Sequence, residues 1–283
     1  MPSKKKPRPE IRGFRWALDK AEFDKDGKPA PRPDLFKGTI GQKRNYAQRL
    51  SDNIAIIVAD ALRSKFRNIK PDAEGEGRES RARTSKGFKR LDVNYSTLEL
   101  GLGLGVSIKT INYPTLKKNK KTGQVTVGRY TKNYTRADNE LRAEAQDYHL
   151  RQPYSVMIAI IFIPRDACDR QEEVKVREGA LSSFAQAVRI FRHRGGRQGP
   201  KDVEELFERV FLGVYEHEGA NRGAVWFFDV RDTPRRMGPP RKQRTFEQLI
   251  AHITQTYDAL NNPPFEWDTN GNGGNGGSSG PSE

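Results

Sequence analysis

The run "VMIAIIFI", residues 156–163, constrains this chain more than any other stretch. It is bounded by Pro153 and Pro164. Its length suits a strand and falls far short of the roughly 20 apolar residues that span a bilayer. No polar residue interrupts it, so it reads as a buried strand. The sheet that holds it is expected to lie between helices.

Helical periods supply the cover. Leu50, Ile54, Ile57, Val58, Ala61 and Leu62 recur at helical spacing and predict a helix over 41–66. Residues 70–87 read as a loop of Gly, Ser and mixed charge. A strand pair follows within 91–112, then a basic excursion with its own small hairpin around Thr122–Gly123. Further helices are predicted over 136–150, 178–193, 201–216 and 245–260, with a second buried strand at 223–230 and a loop at 164–176. The order implies an α/β fold, a mixed central sheet flanked by helices. It divides the chain into an irregular basic arm (1–40), one α/β domain (41–262) and a flexible Gly/Asn/Ser tail (263–283).

Charge narrows the partner. Of 283 residues, 51 are Lys or Arg and 36 are Asp or Glu, a net charge of +15. A surface this cationic attracts polyanions at long range, and nucleic acid ranks ahead of membrane. The basic N-terminus has no apolar segment behind it, so it is not a signal peptide. One cysteine excludes an internal disulfide and suits the cytoplasm, and with only four histidines a structural zinc site is not expected.

The chemistry concentrates in "LDVNYSTLELGLGLGVSIKTIN", residues 91–112. Alternation puts Asp92 on one face of the first strand, and Ser107 and Lys109 on one face of the second. A reversal centred near residues 99–100 brings Asp92 opposite Ser107, with Lys109 one step along. An acid and a lysine together suit metal-assisted phosphodiester chemistry. The carboxylate holds a divalent ion, and the lysine orients or deprotonates water or offsets developing charge. A second carboxylate must come from elsewhere. Glu140 and Glu144 share one face of the following helix, with Asp147 nearby. Glu99 is either a turn residue or an alternative ligand. Asp52 and Asp60 read as surface charges, and His149 as a packing residue.

These residues resemble the PD-(D/E)XK nuclease superfamily, which includes many type II restriction endonucleases. Its pattern is an Asp on one strand and (D/E)-x-K on the next. Asp92 matches the first acid and Lys109 the lysine, while Leu91 stands in place of Pro and Ser107 in place of the second acid. Some restriction enzymes of the superfamily read S-x-K here and take the acid from the next helix, as "SIK" with Glu140 or Glu144 would. The resemblance covers roughly residues 41–165. It implies a restriction-endonuclease-like core and Mg²⁺ (or Mn²⁺) held by Asp92 and Glu140 or Glu144, with the Ile108 carbonyl as a further ligand. The expected activity is DNA cleavage in restriction or anti-phage defence, as a homodimer or with other subunits of a defence complex. The rival expectation is a catalytically inactive nucleic-acid-binding protein of the same fold.

Three basic stretches are candidate phosphate contacts: Lys117, Lys118, Lys120 and Lys121; Arg192, Arg194 and Arg197; and Arg241, Lys242 and Arg244. Each also reads as an ordinary solvated charge run.

Overall fold

The computed structural model describes residues 12–33, 38–97, 101–111, 114, 116–118, 122–123, 125–127, 130–169 and 180–260. The chain begins with α1 (Phe14–Ala21) and α2 (Ile40–Leu62), followed by strands β1 (Ser80–Thr84), β2 (Gly87–Leu91), β3 (Val93–Thr97) and β4 (Gly101–Thr110). The small strands β5 (Leu116–Lys118) and β6 (Val125–Val127) precede α3 (Thr131–His149) and β7 (Val156–Pro164). Then come α4 (Ser183–Phe191), β8 (Arg209–Tyr215), β9 (Val225–Asp229) and α5 (Phe246–Leu260).

Five strands form the central sheet in the order β3-β4-β7-β8-β9. β4, β7 and β8 run parallel, and β3 and β9 are antiparallel to their neighbours. The apolar run predicted as a buried strand is β7, the middle strand of the sheet. Its Ile158, Ile160 and Phe162 join the core made with α1, α2 and α5. Its Met157, Ala159, Ile161 and Ile163 face the second core, against α3 and α4. The result is a mixed α/β fold with helices on both faces of the sheet. The α2 start is set by a capping box between Thr39 and Gln42.

Four expectations are corrected. The arm is not irregular throughout: α1 buries Ala17, Leu18 and Ala21 against α2. Arg49 of α2 donates to the carbonyls of Ala21 (2.7 Å) and Ala30 (3.0 Å), which holds the arm in place. The loop expected at 70–87 contains β1, which pairs with β2 from Ser80↔Leu91 to Thr84↔Gly87. The helix expected at 201–216 is strand β8. Val203, assigned there to an apolar stripe, is exposed, while Val210, Phe211, Leu212 and Val214 are all buried. An apolar run buried on both faces has no polar side to reveal its period. The helix expected at 178–193 is shorter, ending at Phe191 in a 3₁₀ turn over Arg192–Arg194.

Candidate functional site

The β3–β4 ladder sets the site. Val93 faces Val106 and Tyr95 faces Leu104, which centres the reversal near residues 99–100; Glu99 lies outside the described residues. Asp92 occupies a bend between β2 and β3. Leu91 and Val93 therefore enter different cores, Leu91 on the α3 side and Val93 on the α2 side. The Asp92 Oδ2 atom accepts a hydrogen bond from the Ile108 amide at 2.6 Å.

Val106 and Ile108 point toward α2, so Ser107 and Lys109 face α3. There they meet Glu144. Ser107 donates its hydroxyl to Glu144 Oε2 at 2.6 Å, and Lys109 Nζ donates to Oε1 at 3.0 Å. Tyr134, Ala137, Leu141, Ala145 and Tyr148 pack α3 into the core, and Glu144 sits at the edge of that stripe.

Position sets the protonation states. Burial raises the Asp92 carboxyl to about 7; Lys109 and the Ile108 amide oppose the shift, while the charges of Glu144 and Asp52 add to it. Burial works against the Lys109 ammonium, but Glu144 and Asp92 outweigh it and raise its pKa. Lys109 therefore stays charged at neutral pH, so it can offset negative charge but is not a ready base.

Asp92, Lys109 and Glu144 line an open cleft of about 290 Å³. Arg44 and Gln48 of α2 and Arg90 of β2 complete its walls. Sequence reasoning missed these three, although Arg44 and Gln48 are four apart and so share a face of α2. Asp52 is not a simple surface charge: its carboxyl is raised, chiefly by burial, and its field reaches Asp92.

The alternatives separate. Glu140 is exposed at the rim and pairs with Arg136 at 2.8 Å, four residues back on its own helix. Asp147 binds Lys89 and Lys86 of the β1–β2 hairpin, and these lysines hold its carboxyl below the usual range against the effect of burial. His149 is buried, with Nδ1 against the Glu204 carbonyl at 3.1 Å. Asp60 pairs with Arg63 and Arg12.

The three arginines of the expected basic patch at the end of α4 differ in exposure. Arg197 is 1% exposed and pairs with Glu208 at 2.8 Å. Arg194 grips Asp138 through two hydrogen bonds of 2.6 and 3.0 Å. Arg192 donates to the carbonyls of Val230 and Asp232. Burial thus takes Arg197 out of the surface and Asp138 occupies Arg194, while Arg192 stays exposed. Lys242 and Arg244 both pair with Asp232, and Arg241 is exposed. Lys117 and Lys118 lie in β5, paired with β6 as the expected small hairpin. Their side chains, and all of Lys120 and Lys121, lie outside the described residues.

The donor set suits a hard divalent cation: Asp92 and Glu144 bring carboxylate oxygens to one cleft. A carboxyl raised to about 7 by burial is one that a nearby positive charge would stabilise in its ionised form. Among the described residues no group of three or more His, Cys, Asp or Glu side chains gathers that could hold a metal ion. Of the two glutamates expected as alternatives for the second carboxylate, Glu144 is bonded to Ser107 and Lys109, while Glu140 lines the cleft and pairs with Arg136. Comparison of the chain with protein-family models, curated proteins and solved structures finds no match.

Proposed function

We propose that the chain is a Mg²⁺- or Mn²⁺-dependent endonuclease that hydrolyses DNA phosphodiester bonds, on a restriction-endonuclease-like core, in restriction or anti-phage defence. One observation carries the reading: Glu144, from a helix, is bonded to both Ser107 and Lys109 beside Asp92 in a single cleft. That is the arrangement the S-x-K variant of the PD-(D/E)XK pattern requires.

In this reading Asp92 and Glu144 would hold the cation, which when bound would lower the pKa of water and polarise the phosphoryl group. Ser107 fixes the carboxylate plane of Glu144. Lys109, held as an ammonium, offsets charge that develops on the phosphoryl oxygens. Water oxygen would bond to phosphorus and lose a proton to solvent, while the bond to the leaving sugar oxygen breaks and that oxygen takes a proton from solvent.

The test is nicking of supercoiled plasmid with Mg²⁺ or Mn²⁺. Asp92→Asn, Glu144→Gln and Lys109→Ala are each expected to lose roughly 10²–10³-fold in rate. Duplex binding in EDTA should remain. A second reading, an inactive nucleic-acid-binding protein, is favoured by the pairing of Glu144 with Lys109, which neutralises one of the two acids. Duplex binding by the unaltered protein with no cleavage under either ion would establish it.

A further inference from the structure

The β1–β2 hairpin is a two-stranded ribbon outside the central sheet. Its two faces differ. Ala82, Thr84 and Leu91 are buried on the inner one. Lys86 and Lys89 pair with Asp147 of α3, and the Ser85 amide donates to the Asp147 carbonyl at 2.9 Å. The ribbon is therefore pinned to the helix that carries Glu144.

The outer face holds Arg81, Arg83, Phe88 and Arg90. Arg81 stands directly across from Arg90, and Arg83 across from Phe88. Like charges directly opposite one another destabilise a ribbon. Arg90 is partly relieved by Glu79 at 2.8 Å. Arg81 is exposed and has no ion-pair partner among the described residues. Phe88 is 62% exposed, with the Arg83 guanidinium 5.8 Å from its ring centre. Two unfavourable features, facing arginines and an exposed aromatic ring, thus share one face. A polyanion with apolar ground between its charges would relieve both. Arg90 also lines the cleft, two residues before Asp92.

We propose that this outer face is a docking surface for duplex DNA, the ribbon entering the major groove and leading the backbone to the cleft. A two-stranded β-ribbon fits the major groove of B-form DNA, where its arginines reach the flanking phosphates and an apolar side chain meets the thymine methyl. The A-form major groove of duplex RNA is too deep and narrow for side chains to read. The inference rests on the nuclease reading for its substrate, but its test does not use cleavage.

Affinity for duplex DNA is measured in EDTA across a salt series for the full chain. Arg81→Ala with Arg83→Ala is expected to weaken binding about tenfold or more and to lower the log–log salt slope by roughly 2, about 0.9 for each lost contact. Phe88→Ala should weaken binding with the slope unchanged. Arg81→Lys with Arg83→Lys should restore the slope, which separates charge loss from misfolding. Arg189→Ala with Arg235→Ala, also exposed, serves as the control for general charge. An unchanged slope in the Arg81/Arg83 variant, or an equal loss in the control, would overturn the proposal. So would equal binding of duplex RNA, or a preference for anionic phospholipid vesicles over DNA. If the unaltered protein binds duplex through this face but never cleaves it, the nuclease reading fails and the docking surface stands.

Discussion

Asp92 is the residue at which folding and chemistry conflict. Its carboxyl is raised from 3.8 to about 7, so between those values the folded chain binds more protons than the unfolded one. This contribution to stability is therefore lost as pH rises from about 4 to 7. Asp92→Asn removes the conflict. It should leave stability nearly unchanged at pH 4 and raise it at pH 8, by on the order of 1–3 kcal/mol. Thermal unfolding at the two pH values measures this, and added Mg²⁺ should shrink the gap at pH 8. Ser107 and Lys109 were legible in the sequence because alternation assigns their face, whereas Asp92 sits in a bend that breaks the alternation and sends Leu91 and Val93 into different cores. The choice between Glu140 and Glu144 was not legible. The two share a helix face, and sequence alone does not show that Glu144 meets Ser107 and Lys109 while Glu140 stays exposed beside Arg136.

At the scale of elements, the sequence was clear where the pattern had a polar side and ambiguous where it did not. α2, α3 and α5 each show a stripe and were legible, whereas β8 reads as a helix because its apolar residues face two cores at once. The β1–β2 ribbon was illegible for another reason: its outer face is arginine and its length is only a few residues, which looks like loop composition. Gly213 shows how tightly β8 is packed. A Cβ there would lie 2.7 Å from the Phe162 ring and 3.2 Å from the Phe227 ring. Gly213→Ala should therefore destabilise by about 1–3 kcal/mol, as for overpacking elsewhere, seen as a lower denaturant midpoint with the same slope.

Across the whole molecule, the three-layer plan followed from one apolar run, but the polar tie through its interior did not. Arg197 pairs with Glu208 and donates to the Pro153 carbonyl, while Glu208 also accepts from the Met157 amide at 2.6 Å. This buried tie joins the entry to β7 with the entry to β8. Removing one partner leaves a charge buried alone, so Arg197→Ala should cost about 3–5 kcal/mol. Arg235→Ala, at an exposed site, should change little; chemical denaturation of both variants checks the contrast. A basic run such as "RHRGGRQ" gives no sign of which arginine is inside, because the acid that pairs with it lies eleven positions further on.

The strands of the central sheet stand side by side in the order in which they occur in the chain. For a chain being synthesised, this means that each new strand finds its neighbour already present. The antiparallel pairs close short loops, whereas β7 and β8 each join only after a long crossover carrying α3 or α4, which costs more closure entropy. Asp92, Ser107, Lys109 and Glu144 all leave the ribosome before β7, so the cleft's own residues are available early. β8, β9 and α5 follow, and α5 packs on the α2 side of the sheet last among the described elements.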